Sequence, residues 1–235
     1  MGLREKEKTE RAFLPLLGER PVAGVIWDMD GVLVDSEPHH IKLEKKLFEE
    51  LGLDISEEEH LSYMGKPADK MWEEIKELKG VAASLEVLNE RHRMVAERYF
   101  SELEGIKPVD GLADVLEELK VRGLPMAVAS SSLRSVINII LKKTGLEKYF
   151  DVIVSREDVK EGKPSPDIFL HAASLLNAGS EECIVIEDSS NGIKAAKAAG
   201  MFCVAFTGTG DGNTDTSLAD VEIRSIGELT NYFKR

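Results

Sequence analysis

Beyond residue 110 the chain alternates short apolar runs with amphipathic stretches, and this rhythm restricts the fold more than any other feature. Pro125 to Ser130 (PMAVAS), Val152 to Ser155, Cys183 to Glu187 (CIVIE) and Phe202 to Phe206 read as buried strands. Between them lie helical faces. Leu112, Val115, Leu116 and Leu119 repeat at i, i+3, i+4 and i+7, and Gly123 closes the stretch. Leu133, Val136, Ile137, Ile140 and Leu141 form the next face, ending at Gly145, and helices are expected over 167–177 and 191–199. Repeated βα units predict a parallel sheet with helices on both faces.

An earlier apolar run, Gly24 to Asp28 (GVIWD), reads as a first strand of the same sheet. It is separated from the rest by a block from Pro38 to about Pro108 in which only helical patterns occur, including Leu43, Leu47 and Leu51 and stretches near 56–63, 68–79 and 84–103. The expected fold is therefore α/β: a Rossmann-like, doubly wound parallel sheet with an all-helical cap inserted after strand one. The expected division is a loose polar leader over 1–20, a core made of 21–37 plus 109–235, and a cap over 38–108.

In an open parallel sheet, ligands bind beyond the carboxyl ends of the strands. Strand one ends in Asp28-Met29-Asp30-Gly31, and strand two in Ser130-Ser131-Ser132. The loop after strand three carries Gly162-Lys163-Pro164, and strand four ends in Glu187-Asp188. Carboxylates brought that close repel one another unless a cation lies between them. Hard oxygen donors select Mg²⁺, which commonly partners phosphate oxygens. A lysine and hydroxyls beside a helix start suit a phosphate. The set reads as metal-assisted phosphoryl transfer.

The four segments DMDGVLVDSEP (28–38), VASSS (128–132), GKPSPDIF (162–169) and IEDSSNGIKAAKAAGM (186–201), in this order and on strand ends, resemble the haloacid dehalogenase superfamily. Within it they resemble the group containing β-phosphoglucomutase and the sugar-phosphate phosphatases. The resemblance implies that Asp28 is the nucleophile that becomes an aspartyl phosphate and that Asp30 is the general acid and base, worth about 10² to 10⁴ in rate. It implies Mg²⁺ held by the Asp28 carboxylate, the Asp30 backbone carbonyl and Asp188, with Glu187 as a further ligand or support. Ser130, the Ser131 backbone N–H and Lys163 would hold the phosphoryl oxygens. The implied partner is a small phosphorylated metabolite, a sugar or polyol phosphate.

The cap decides between water and a sugar hydroxyl as acceptor of the phosphoryl group. The mutases carry an arginine-bearing loop after a glycine, whereas Gly65 is followed here by Lys66-Pro67-Ala68-Asp69. A phosphatase is favoured, with a β-phosphoglucomutase-type mutase as the alternative and a non-catalytic phosphate-binding module as the third reading. Lys66 from the cap and His40 beside the hinge are the candidate substrate contacts.

Competing motifs fail. An EF-hand loop opened by Asp28 would need an oxygen ligand and a glycine where Val32 and Leu33 stand. The glycines at 208, 210 and 212 lack dinucleotide-binding spacing, because Asn213 occupies the last position, and they are expected to form a polar loop. Ser131 and Ser132 can cap the helix starting near Leu133. His39, His60, His92 and His171 are expected on helix surfaces, and Met71 and Trp72 in the core of the cap.

A net charge of -13 opposes binding to nucleic acid. The two cysteines, Cys183 and Cys203, lie in strands and are expected as buried thiols, and no apolar stretch suits a membrane span. The default location is the cytoplasm, and a monomer is compatible with these features.

Overall fold

The protein is described by a computed structural model covering residues 12–13, 21–63, 66, 68–210 and 214–230. Six parallel strands form the central sheet: β3 (Gly24–Trp27), β4 (Met126–Ser130), β5 (Val152–Ser155), β6 (Cys183–Glu187), β7 (Phe202–Phe206) and β8 (Val221–Ile223). Their spatial order is β5-β4-β3-β6-β7-β8. The chain moves outward from β3 in one direction through β4 and β5, then returns to its other side at β6. This reversal is the topological switch that opens a crevice at the carboxyl end of β3. Strand β8 has no counterpart in the sequence reading, because its three residues at the sheet edge are too short to produce an apolar run. Ahead of the sheet, β1 (Ala12–Phe13) pairs antiparallel with β2 (Pro21–Val22), so part of the expected loose leader is tied to the body.

Side chains alternate across the sheet, as the two-residue period of a strand requires. Val25, Trp27, Val128, Ile184, Ile186 and Val204 face one layer of helices, α5 (Leu112–Val121) and α6 (Arg134–Thr144). Ile26, Ala127, Ala129, Val185, Cys203 and Ala205 face the other, α7 (Asp167–Leu175) and α8 (Ser190–Ala198). The alanines on this second face let α7 and α8 approach the sheet closely. Both cysteines are buried and unbridged, as expected.

Between β3 and α5 run four helices: α1 (Glu37–Glu50), α2 (Glu57–Tyr63), α3 (Ala68–Lys79) and α4 (Leu85–Glu102). They enclose a cluster of their own, Leu47, Phe48, Tyr63, Met71, Trp72, Ile75 and Leu88. Leu43, Ala96 and Phe100, at the base of α1 and α4, join the main core instead. The outgoing and returning segments lie side by side, with Val34 bridged to Pro108 and the Val109 N–H donating to the Leu33 carbonyl. Two histidines expected at the surface are buried. His60 contacts Glu44 and Phe48, and His92 packs against Trp72. Amphipathic periodicity locates a helix face but does not reveal that a neighbouring helix supplies a polar partner for a histidine on it. No helix among the described residues is long and apolar enough to cross a membrane.

Candidate active site

Strand register brings the chemistry together. Trp27 lies opposite Val128 on one side and Ile186 on the other. The next residues, Asp28, Ala129 and Glu187, therefore arrive level at the carboxyl edge. The Lys163 ammonium spans all three, donating to Asp28 Oδ1 (2.5 Å), Glu187 Oε1 (2.7 Å) and the Ala129 carbonyl (3.1 Å). It also lies 4.9 Å above the ring of Phe169, which α7 buries completely. Lys163 is buried. Burial disfavours its charge, but Asp28 and Glu187 outweigh that effect and raise its pKa.

Asp30 is satisfied differently. Its Oδ1 accepts from Ser36 Oγ at 2.6 Å and stands 3.2 Å from His40 Nε2. Its Oδ2 accepts from Ser132 Oγ at 2.7 Å and Ser130 Oγ at 3.1 Å. Burial opposes ionisation of Asp30, but the hydrogen bond and charge of His40, followed by the serines, hold its carboxyl below the usual range. In return, His40 is lowered by burial but raised overall by Asp30, with a further contribution from Glu44.

The fold gives the serines partners that the sequence does not name. Ser130 is wholly buried, its hydroxyl engaged by Asp30 and by the Ser132 N–H. Ser132 also binds Asp30, and neither Ser131 nor Ser132 caps α6, whose N-cap is Leu133 without a side-chain bond. The Arg134 N–H at that end donates to Glu157 instead. Ser131 lines the cavity.

Glu187 is fully buried and already occupied. Besides Lys163 it accepts from the Ser189 N–H (2.7 Å) and Ser189 Oγ (3.0 Å). A Cβ at Gly192 would fall 1.6 Å from Glu187 Oε1, so α8 can pack there only with glycine. Asp188 lies against the peptide of Gly31, where a Cβ would be 1.9 Å from Asp188 Oδ2 and where φ is +80°. Burial, then the charges of Glu187 and Asp28, push the Asp188 carboxyl well above its usual range. Burial likewise pushes Asp28 up to about 8, Lys163 opposing and Glu187 and Asp30 reinforcing.

These carboxylates are crowded and undercompensated, which is the environment a hard divalent cation relieves. No group of three or more His, Cys, Asp or Glu side chains among the described residues stands ready to hold a metal. By donor chemistry the Asp28 and Asp188 side chains could hold such an ion, Asp188 lying against Gly31. Both oxygens of Glu187, the acid expected as a ligand or a support, are engaged, by Lys163 and by Ser189, an arrangement that suits support of its neighbours.

Above these groups a cavity of about 1120 Å³ extends between the sheet edge and the helical insert. Its walls include the expected contacts Lys66 and His40. The Lys66 ammonium is bound to both carboxylate oxygens of Glu74 (2.7 and 2.9 Å). Met64, Gly65 and Pro67 lie outside the described residues, as do 211–213 of the glycine-bearing loop. Thr209, from that loop, lines the cavity and donates to the Gly31 carbonyl at 2.5 Å. The roles of Ser36, Ser132, Gly192 and Thr209 escaped the sequence reading; Ser36, Ser132 and Gly192 sat within recognised segments, but no spacing rule marks a hydroxyl as partner of an acid 102 residues away.

Known proteins give the arrangement a context. Residues 25–206 match the haloacid dehalogenase-like hydrolase family. A phosphorylated carbohydrates phosphatase of Thermotoga maritima is 37% identical over 177 residues, covering 75% of this chain and 81% of that protein. A β-phosphoglucomutase of Bacillus subtilis is 31% identical over 211 residues, covering 88% and 91%. Among solved structures, CbbY from Rhodobacter sphaeroides in complex with phosphate superposes with a TM-score of 0.80 at 27% identity, over 88% of this chain and 96% of that one. The chain thus belongs to the haloacid dehalogenase-like hydrolase family.

Proposed function

We propose that the protein is a Mg²⁺-dependent phosphatase of small sugar or polyol phosphates that works through an aspartyl phosphate on Asp28. The observation that carries this reading is the buried ammonium of Lys163, which touches Asp28 and Glu187 at the edge where the phosphoryl group would sit. Lys163 fixes the attacking carboxylate and offers positive charge to the incoming dianion. An oxygen of Asp28 attacks phosphorus and the ester P–O bond breaks. The leaving oxygen takes a proton from the Asp30–His40 pair. Asp30, held by Ser36, Ser130 and Ser132, then accepts a proton from water, whose oxygen attacks phosphorus and breaks the bond to Asp28. Asp28, the Asp30 carbonyl and Asp188 would hold Mg²⁺, which supplies positive charge to spread that of the phosphoryl oxygens.

Hydrolysis is favoured over mutase chemistry because the cap loop lacks an arginine and Lys66 is already neutralised by Glu74. A mutase must grip a second phosphate there. The names of relatives include both activities, so the experiment must separate them. Phosphate release is to be screened over sugar, polyol and nucleotide monophosphates with Mg²⁺. In parallel, β-glucose 1-phosphate with trace glucose 1,6-bisphosphate is assayed for glucose 6-phosphate. Free phosphate, lost with EDTA and in D28N, is the expected result. Isomer without free phosphate would establish the mutase, and neither product would remove both readings.

A further inference from the structure

Glu44 lies four residues beyond His40 on α1, on the same helix face and roughly 6 Å farther along the axis. His40 touches Asp30, so Glu44 stands about one turn beyond the group assigned to the leaving oxygen. It lines the cavity with Asn89, His92 and Ala96. One of its oxygens, Oε2, is fixed by His60 Nε2 at 2.7 Å, in a pair whose side chains are only 14% and 4% exposed. The His60 ring is in turn set edge-on against Phe48, 5.1 Å between centroids. Glu44 Oε1 has no hydrogen-bond partner among the described residues. A carboxylate held by one oxygen presents the other in a fixed direction, and an ionised carboxylate can only accept.

The charges around it point to the same class of ligand. Of the cations lining the cavity, Lys66 is bound by Glu74, Arg93 by Glu90 and Glu97, Arg156 by Asp69 and the Val159 carbonyl, and Lys163 at the sheet edge by Asp28 and Glu187. Arg91 is exposed and projects about 200° around α4 from Asn89, away from the face that Asn89, Arg93 and Ala96 share. The space beside the leaving carbons therefore meets an acceptor and a negative charge.

We infer that Glu44, oriented by His60, selects the leaving group: it accepts hydrogen bonds from hydroxyls on carbons near the ester oxygen and repels a second anion placed there. The favoured substrates are then monophosphates of neutral polyhydroxyl compounds, not bisphosphates or phosphorylated acids. This deepens the phosphatase reading above and rests on it.

The test compares kcat/KM for three esters in wild type, E44Q and H60N: a hexitol or hexose monophosphate, methyl phosphate, and the corresponding bisphosphate. A hydrogen bond to a charged acceptor implies that the polyhydroxyl-to-methyl phosphate ratio falls by about 10- to 100-fold in E44Q. A smaller fall is expected in H60N, where the carboxylate remains but is loosened. The bisphosphate should gain relative to the monophosphate in E44Q, because a negative charge has gone. Ratios taken within one variant cancel any loss of folded enzyme. Unchanged ratios in both variants, with wild type hydrolysing methyl phosphate, would overturn the role of Glu44 and leave the phosphatase reading standing. If wild type hydrolysed none of the esters, the phosphatase reading would itself fall.

Discussion

The Lys163 ammonium meets the Asp28 carboxylate at 2.5 Å across a separation of 135 residues, and both are buried. Removing one member of a buried pair leaves the other charge without compensation, which typically costs about 3 to 5 kcal/mol. K163M should therefore lower the urea midpoint by a corresponding amount and cut phosphate release by at least about 10²-fold. A variant as stable and active as wild type would show that the contact neither holds the site nor takes part in turnover.

Asp30 receives hydrogen bonds from Ser36, Ser130 and Ser132 and neighbours His40, while its proposed metal contact is through the main chain. D30N should slow turnover by about 10² to 10⁴ and leave Mg²⁺ affinity, followed by calorimetry, close to that of wild type. Loss of Mg²⁺ affinity equal to the loss of rate would mean that the side chain, not the carbonyl, serves the cation.

Gly31 combines φ of +80° with an approach to Asp188 that no side chain allows. Gly52 has a similar φ of +67° with nothing within 4 Å of an added Cβ. Both G31A and G52A should lose about 1 kcal/mol or more to backbone strain. Only G31A should also displace Asp188 and raise the Mg²⁺ concentration giving half-maximal activity. Equal Mg²⁺ requirements in the two variants would detach Asp188 from metal binding.

His92 is kept neutral by its surroundings. Burial lowers its pKa, with Glu44 opposing and His40 reinforcing, and its Nδ1 accepts from Trp72 Nε1 at 3.3 Å. A folded-state pKa below the unfolded one means that the unfolded chain binds the extra proton as pH falls. The stabilisation is therefore complete above the unfolded value of roughly 6.5 and is lost below it. Unfolding followed by tryptophan fluorescence should show stability declining from pH 7 to 5, and H92N should flatten that slope. The same slope in H92N would assign the acid sensitivity elsewhere.

The sheet was legible because buried parallel strands are continuous apolar runs and the helices between them repeat their apolar face every three to four residues. Even Lys163 could be placed at the rim from its loop alone. Its partners could not all be assigned, since Glu187 read as either a further metal ligand or a support, and its hydrogen bonds to Lys163 and Ser189 appear only in the fold. Ser130 read as a phosphate contact, and its bond to Asp30 is a further partnership that the sequence does not name. His60 and His92 read as surface because burial depends on neighbours that periodicity does not name.

The order of βα units, the insertion after the first strand and the convergence of Asp28, Asp30, Lys163 and Asp188 on one rim are determined by sequence, since strand direction alone sends successive loops to the same edge. Which oxygen each hydroxyl serves, which acid remains available, and how Glu44 faces the cavity were decided only in three dimensions. Hydrogen bonds and electrostatic interactions act over a few ångströms, and residues far apart in the chain reach that range only after the layers have packed.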